Sequence, residues 1–508
     1  MGFLVKREYL KPSATLLEEA AARVGPGASY YTLTMGGGPI GYATSTIDTT
    51  TTGITVQNNT VLDIQALGTV RKTGITTVIN LTRTLRLVSF DALLASEAAR
   101  YHASGRVEGD SVLLVTIEAG GRPQQQRIRL ERPLVLPELV SLRLAVGTEL
   151  RAGTTYRLRL FDPMLMQERE VALTVLAEST MVFPDSAVFD SAAGRWVPAT
   201  LDTVRAFKVS QQYGGISMES WIDGNGSIVS ATSPVGFTMH RTAFEIAVQN
   251  YRTDRAQGRT AAAGAGSDVI STTAIAANAR LEPEALRVLR VRLQDVTLEG
   301  FDLSGGRQRL SGDTLIVTRE SGLGHGESGA PPLYAAPVPL ASGGDTAIAN
   351  ALQPEPLIQS DDPRIAAQAR QIVGRERRAG EVARLLTAWV HDHLRKKITI
   401  SVPSAAQVLD SREGDCNEHT VLMVALARAV GLPARTAAGV VYLRGSFYYH
   451  AWPEVWLGQW VAVDPTFGQF PADAAHLRFV IGGLARQVEL VRLIGRLRLE
   501  VVSSLSTQ

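Results

Sequence analysis

The sequence predicts an α+β protein, in which an amino-terminal antiparallel all-β region precedes a carboxy-terminal α+β domain. Before about residue 250, short segments rich in Thr, Val, Ile and Tyr alternate apolar with polar residues, as antiparallel strands do. After residue 346, apolar residues recur instead at helical spacing. We expect four parts: a helix or anchor remnant at 1–27, a β domain at 28–256, a β segment and linker at 257–346, and the α+β domain at 347–508.

Length and composition exclude several classes of protein. With 508 residues the chain is too long for one hydrophobic core, and we expect two or three domains. The 51 Lys and Arg residues balance 49 Asp and Glu residues, and a net charge of +2 gives no reason to expect nucleic acid as a partner. The single cysteine excludes an intrachain disulfide and argues against a thiolate metal cluster, so no metal or other cofactor is expected.

The amino terminus predicts a short helix at 13–24 that Ser13 can cap. Before it, an apolar fragment at 1–5 runs into Lys6 and Arg7. This fragment is too short for a signal peptide, and it is compatible either with the tail of a removed membrane anchor or with a frayed terminus. No run of about 18 uncharged apolar residues predicts a transmembrane helix.

The β region predicts many short strands joined by turns. Glycines at 36–38 mark the first turn, Asn58 and Asn59 mark another, and Asp-Gly-Asn-Gly at 223–226 is a strong hairpin signal. Residues 258–268 and 320–346, rich in Gly, Ala, Ser and Pro, are predicted connections. Strands are predicted at 30–34, 41–48, 53–67, 84–90, 111–118, 127–131, 155–161 and 171–176, with further sets in 206–248 and 286–320.

The carboxy-terminal part predicts three helices followed by three strands. Asp362 and Pro363 open the first helix, and Gly431 with Pro433 ends the third. Residues 473–501 are ambiguous between helix and strand. The helices are predicted at 363–373, 381–397 and 416–430, and the strands at 434–443, 447–457 and 460–464.

Cys416 stands at the start of the third of these helices and is the candidate nucleophile. The positive end of a helix dipole favours the thiolate, and unpaired helix-start amides can hold an oxyanion. Gly414 lets the chain enter the turn closely. Taken alone, Cys416 is equally well explained as a small buried apolar residue.

His450 and Asp464 complete a candidate Cys-His-Asp set. Alternation along 447–456 puts His450 on one face of its strand. If residue 456 opposes residue 460 across the turn at Gly458, Asp464 comes to the same face, within reach of His450. A two-residue turn that pairs 457 with 460 would put them on opposite faces. Asp464 would then hold the imidazole tautomer, although an Asp before Pro465 is also a common turn residue.

Other ionisable residues are weaker candidates. His419 is a rival base, three residues after Cys416 on the same helix, but it has no evident carboxylate partner. A metal site from His391, His393, Cys416 and His419 is disfavoured, because residues two apart on a helix face different sides. Asp473 and His476 are interpreted as surface residues.

Three stretches in order resemble the bacterial transglutaminase-like superfamily over roughly 360–480. They are GDCNEH at 414–419, ARAVGLPAR at 427–435, and HAWPEVW at 450–456 with the strand at 460–466 that ends on Asp464. The resemblance implies a papain-like core, with Cys416 as nucleophile, His450 as base and acid, and Asp464 orienting the imidazole. It gives no sure side-chain oxyanion donor: Gln407 could serve, but a helix-surface glutamine is the simpler interpretation. No acidic loop suggests the calcium dependence of animal transglutaminases.

Two functional hypotheses follow. The first is an acyl-transfer enzyme in which Cys416 attacks a carboxamide or peptide bond of a protein or cell-envelope substrate through a thioester, with hydrolysis preferred to cross-linking. The second is a non-catalytic envelope scaffold with a relic Cys domain; retention of all three residues favours the enzyme. The β-rich region loosely resembles segments of exported or membrane-anchored bacterial proteins, so we expect a location facing the periplasm or the extracellular side.

Overall fold

A computed structural model describes residues 24–506, apart from 67–68, 98, 110, 132, 148–149, 164–165, 214–215, 234–235, 261–269, 271–272, 321–345 and 400. The helix predicted at 13–24 and most of the two predicted connections lie outside the described residues. Among the described helices, none is long and apolar enough to cross a membrane.

The amino-terminal region is one antiparallel sheet of fourteen strands within the described residues. β1 lies in the middle, with the meander β2 to β8 on one side and β14 back to β9 on the other. The strands are β1 Gly27–Met35, β2 Gly38–Thr49, β3 Gly53–Ala66, β4 Thr69–Thr82, β5 Leu87–Ser96, β6 Arg100–Glu108, β7 Val112–Glu118, β8 Gln124–Arg129, β9 Thr155–Asp162, β10 Gln167–Asp190, β11 Arg195–Tyr213, β12 Ile216–Asp223, β13 Ile228–Thr232 and β14 Phe237–Thr242.

The two ends of this sheet approach each other. Val135, just after β8, bridges Leu160 of β9, and the hydroxyl of Tyr101 donates to the carbonyl of Pro163 at 3.0 Å. Alternating buried residues along the strands form several apolar clusters, and the largest of them contains residues of β3 to β7 together with Phe161 of β9. The turn predicted at Asn58 and Asn59 is wrong, because both residues lie inside β3, where they pair with Thr77 and Thr76 of β4.

The helices of the carboxy-terminal part follow the sequence signals closely. Asp362 accepts a hydrogen bond from the backbone N–H of Arg364, and Pro363 occupies the first helical position. The helix predicted at 381–397 ends four residues earlier, at His393. The described helices are α1 Val140–Gly147, α2 Asn250–Ala256, α3 Thr346–Asn350, α4 Pro363–Val373, α5 Ala379–His393, α6 Ala405–Ser411, α7 Cys416–Ala429 and α8 Leu484–Gln487, with one-turn π or 3-10 segments at Pro137–Leu139, Glu245–Gln249, Pro283–Ala285 and Val488–Leu493.

Three further sheets complete the described part of this region, the smallest being the parallel pair of β19 and β20. A five-stranded sheet has the order β15-β22-β21-β24, with β23 paired to β22, and a four-stranded sheet has the order β17-β18-β16-β25. α7 packs between the other helices and β21 and β22, with Leu422 to Ala427 wholly buried. The strands are β15 Ile275–Ala276, β16 Leu286–Gln294, β17 Gln308–Ser311, β18 Thr314–Thr318, β19 Arg395–Lys396, β20 Glu413–Gly414, β21 Ala434–Leu443, β22 Ser446–Trp456, β23 Trp460–Ala462, β24 His476–Ile481 and β25 Arg498–Ser506.

The structure has the predicted α+β class, with a β-rich amino-terminal region. The end of the chain, β25, pairs with β16, so the segment that follows the large sheet shares a sheet with the last residues. The four-part division of the sequence stays a proposal. The large sheet contacts the helical region through Gln407, whose amide exchanges hydrogen bonds with the backbone of Arg100, and through Gln359, which donates to the carbonyl of Ala119.

Candidate active site

Cys416 is the first residue of α7, as the sequence predicts, and a capping box fixes the turn before it. The Asp415 carboxylate accepts from the N–H of Asn417 at 2.9 Å, and the Glu418 carboxylate accepts from the N–H of Asp415 at 2.9 Å. A Cβ on Gly414 would lie 2.2 Å from the Cβ of Glu418, so only glycine fits there. The N–H of Cys416 has no carbonyl four residues earlier in the helix and remains available to an oxyanion.

The charge state of Cys416 differs from the expectation of a stabilised thiolate. Burial of the sulfur and the nearby carboxylates of Asp415 and Glu418 raise the pKa of the thiol, while the N–H of Ala451, which donates to the sulfur, lowers it. The effects that raise the pKa of the thiol exceed the effect that lowers it. The helix dipole favours a thiolate, but the two acidic residues that cap the same helix disfavour it. The resting thiol is therefore protonated at neutral pH.

His450 and Asp464 meet as predicted. Trp456 pairs with Trp460, so the register is the one that puts His450 and Asp464 on one face. The Nε2 of His450 lies 2.7 Å from Oδ2 of Asp464, and both side chains are buried. With Nε2 committed to the carboxylate, Nδ1 is the ring nitrogen left for the sulfur. The N–H of Ala451, the next residue after His450, donates to that sulfur.

The carboxylate of Asp464 is held as an anion. Its Oδ1 accepts from the backbone N–H groups of Thr466 at 2.7 Å and Phe467 at 3.1 Å, and its Oδ2 faces the imidazole of His450. Burial alone would raise the pKa of Asp464, but the neighbouring histidines and these hydrogen bonds lower it well below its usual range. Asp464 is therefore a fixed acceptor that orients His450.

Comparison with known proteins assigns the same region of the chain to a family. Residues 366–465 match the sequence model of the transglutaminase-like superfamily. The chain carries a transglutaminase-like domain. The matched range contains Cys416, His450 and Asp464 and stops before residue 473. A search of the curated proteins found no match.

Solved structures with some likeness are all distant in sequence. A candidate cysteine protease from Cytophaga hutchinsonii is 16% identical, with a TM-score of 0.27 over 44% of this chain and 85% of its own. The periplasmic domain of TgpA from Pseudomonas aeruginosa, bound to ethylmercury, is 18% identical, with a TM-score of 0.24 over 39% and 90%. A candidate protease from Parabacteroides distasonis is 10% identical, with a TM-score of 0.18 over 61% and 68%. All three TM-scores are below 0.5, so the assignment rests on the family match.

A second histidine lies beside the site, after the matched range, and the sequence interpretation placed it wrongly at the surface. His476 is fully buried, with Nε2 2.9 Å from Oδ2 of Asp464 and Nδ1 2.9 Å from Oδ1 of Asp473. Pairing of β24 with β21, which in turn pairs with β22, brings His476 beside His450, with ring centroids 5.8 Å apart. That pairing joins residues far apart in sequence, and the only local signal is Asp473 three positions before His476.

The other candidate residues are engaged elsewhere. Nδ1 of His419 donates to the carbonyl of Asp415 at 2.7 Å, and burial lowers the pKa of its ring, so it is held neutral and bound to its own helix. Nδ1 of His391 lies 3.0 Å from the carbonyl of Pro465, while His393 stacks on Trp389. The amide of Gln407 is occupied by Arg100, which contradicts its use as an oxyanion donor.

One group of side chains in the described part of the domain has the composition of a metal site. Single ligand atoms of His450, Asp464 and His476 lie within 4.8 Å of one another. The two Nε2 atoms, however, lie 2.7 and 2.9 Å from one oxygen, closer than the about 3.3 Å that separates ligand atoms around a tetrahedral zinc ion. The geometry is that of direct hydrogen bonds and does not fit an ion.

A cavity of about 210 Å³ lies between the large sheet and the transglutaminase-like domain. Its lining is mostly apolar and includes Asn417 and Thr420, one and four residues after Cys416 on α7. The hydroxyl of Thr420 is buried without a partner among the described residues. Met166 from the large sheet and Leu484 and Ala485 from α8 line the opposite sides.

Proposed function

We propose that the protein is a cysteine-dependent acyl-transfer enzyme that attacks a carboxamide or peptide bond through a thioester and releases the acyl group to water. The hydrogen bond between His450 and Asp464, on the strand next to the helix that begins at Cys416, is the observation that carries this proposal. The family match supports the class of fold, and the triad geometry supports the chemistry.

In the proposed reaction, Nδ1 of His450 takes the proton of the Cys416 thiol as the sulfur attacks the substrate carbonyl carbon. Asp464 stabilises the imidazolium that forms. The tetrahedral oxyanion accepts a hydrogen bond from the N–H of Cys416 at the helix start. His450 then gives the proton to the leaving amine, which departs as the thioester forms.

Water resolves the thioester by the same exchange of protons. His450 removes a proton from the attacking water, the C–S bond breaks, and the thiol of Cys416 regains its proton while a carboxylic acid leaves. Because the resting thiol is protonated, His450 acts first as a general base and no preformed thiolate is needed.

The cavity beside α7 supports a substrate with an apolar side chain. It opens next to Asn417 and Thr420, and residues of the large sheet form part of its wall. We infer that the β region helps to select the substrate, a protein or peptide of the cell envelope. Burial of one apolar side chain contributes about 1.5–3 kcal/mol to binding.

Incubation with denatured casein in ¹⁸O-labelled water, with and without monodansylcadaverine, tests this function. Hydrolysis puts ¹⁸O into new carboxyl groups and leaves the amine free, whereas cross-linking puts the dansyl amine into the protein. We expect ¹⁸O incorporation that is lost in Cys416→Ala. Absence of both labels, with the wild type folded, would favour the scaffold alternative.

A further inference from the structure

His476 lies between two buried carboxylates. Its two ring nitrogens are each 2.9 Å from an oxygen, one of Asp464 and one of Asp473, and all three side chains are at most 3% exposed. Asp464 thus shares the same oxygen, Oδ2, between His450 and His476. His450, Asp464, His476 and Asp473 therefore form one continuous series of hydrogen bonds that begins at the candidate base.

The hydrogen-bond pattern sets the number of protons on His476. A carboxylate oxygen only accepts, and a neutral imidazole has one N–H. The other contacts of Asp473 are also donors to it: the N–H of Ala475 at 2.8 Å and the side-chain amide of Gln469 at 2.8 Å. With both carboxylates ionised, both nitrogens of His476 must carry protons, so the ring is a cation.

We propose that His476 is a positioning residue that acts as a fixed buried cation beside Asp464, and that it holds this carboxylate, and through it the His450 ring, in place for proton transfer from Cys416. The positioning role of His476 rests on the proposed function, whereas its charge does not. The imidazolium of His476 offsets one of two buried negative charges beside His450. Without that cation, the buried carboxylates of Asp464 and Asp473 would have no positive group between them.

The surrounding charges do not replace this cation. Arg307 donates to the backbone carbonyls of Ala472 and Asp473, but its guanidinium lies 3.6 Å from the carboxylate of Glu320. Arg478, two residues along β24, is paired with Glu454 at 2.8 Å. The His476 ring also contacts the aromatic side chains of Trp452 and Phe467, which carry no charge. Although burial alone would lower it, the two carboxylates raise the pKa of His476 to about 9.

Nuclear magnetic resonance of the full chain labelled with ¹³C,¹⁵N-histidine tests the proposal without a substrate. In the wild type at pH 7, both nitrogens of His476 are expected to be protonated and to remain so until about pH 9. Asp473→Asn should move the His476 titration to lower pH. His476→Gln should change the ¹⁵N chemical shifts of the His450 ring at a fixed pH, because it removes the group that shares Oδ2 of Asp464 with His450. His240→Gln, at an exposed strand position, is the matched control and should leave His450 unchanged.

If one ring nitrogen of His476 is unprotonated at pH 7 in the wild type, the proposal is wrong, even if the variants fail to fold. The same holds if the chemical shifts of the His450 ring are identical in His476→Gln and His240→Gln. The proposed function is tested separately. If casein is not turned over and His476 is doubly protonated, the proposal of a buried cation holds and the proposal of acyl transfer is wrong.

Discussion

Trp456 pairs with Trp460 across the turn between β22 and β23, and this register brings His450 and Asp464 to the same face. The turn contains Gly458 at a φ of +86°, and the N–H of Leu457 bonds to the carbonyl of Gln459. A two-residue turn would reverse the face of Asp464. The orientation of the candidate base is therefore decided by three residues outside the triad.

Cys416 should ionise at a higher pH in the folded protein than in the unfolded chain. Its pKa is raised by burial and by Asp415 and Glu418, whereas in guanidinium the same thiol is ordinary. Intact-mass analysis after short exposure to iodoacetamide across pH 6–10 measures this. Cys416→Ser, which leaves no thiol, is the blank. Faster alkylation of the folded than of the unfolded protein below pH 7 would contradict the account.

Asp415→Asn should move that alkylation profile to lower pH. Asparagine keeps an N-cap oxygen and removes the carboxyl group that opposes the thiolate, a group whose own pKa is raised by burial and by Glu418. Asp410→Asn, an exposed residue of α6, is the matched control and should leave the profile in place. An unchanged profile in Asp415→Asn would mean that burial and the other carboxylates raise the pKa of the thiol without a contribution from Asp415.

The protein should lose stability as pH rises through the titration of His476. Its folded pKa of about 9 lies above the ordinary value of 6.5, so its stabilisation is complete below pH 6.5 and is lost as pH passes 9. The shift corresponds to about 3 kcal/mol of unfolding free energy. Urea unfolding from pH 6 to 10 should be done in Cys416→Ser, because the thiol also titrates there. If the unfolding free energy falls with pH at the same slope when His476→Gln is added to Cys416→Ser, His476 is not the group that titrates.

Gly414→Ala should destabilise the protein and disturb the start of α7. The new Cβ would meet the Cβ of Glu418 at 2.2 Å, so the capping box must shift, at a cost of about 1–3 kcal/mol. Gly224→Ala is the control, because its Cβ would have nothing within 4 Å, and it should stay within about 0.5 kcal/mol of the wild type. Urea midpoints measure both; equal midpoints would show that the turn at Gly414 is loosely packed.

Filling the cavity beside α7 should impair labelling by a substrate-like probe and spare labelling by a small one. Ala485→Trp places a large side chain in the lining, and we expect at least about a tenfold slower reaction of Cys416 with a phenylalanyl acyloxymethyl ketone. Iodoacetamide should react unchanged. Val502→Trp, at an exposed position of β25, is the control. Equal loss with both reagents would indicate damage to the fold, and no loss would exclude the cavity from substrate binding.

The fold class, the helix that starts at Cys416 and the strand register at His450 could be predicted because local signals define them. Pro363 and Asp362 open one helix, and alternation fixes the face of His450. The roles of His476 and Asp473 could not be predicted. They depend on the pairing of β24 with β21, and the sequence pattern of the β24 segment is ambiguous between helix and strand. The raised thiol pKa was missed because capping carboxylates stabilise a helix start and simultaneously oppose an anion on it.

Trapping the thioester tests the central claim most directly. The wild type is mixed with denatured casein peptides, quenched in acid within milliseconds to seconds, and examined by intact-mass spectrometry. We predict peptide-acyl adducts on Cys416 that hydroxylamine removes, and none in Cys416→Ser. If folded wild-type protein carries no such adduct while iodoacetamide still reaches Cys416, the proposed acyl transfer is contradicted.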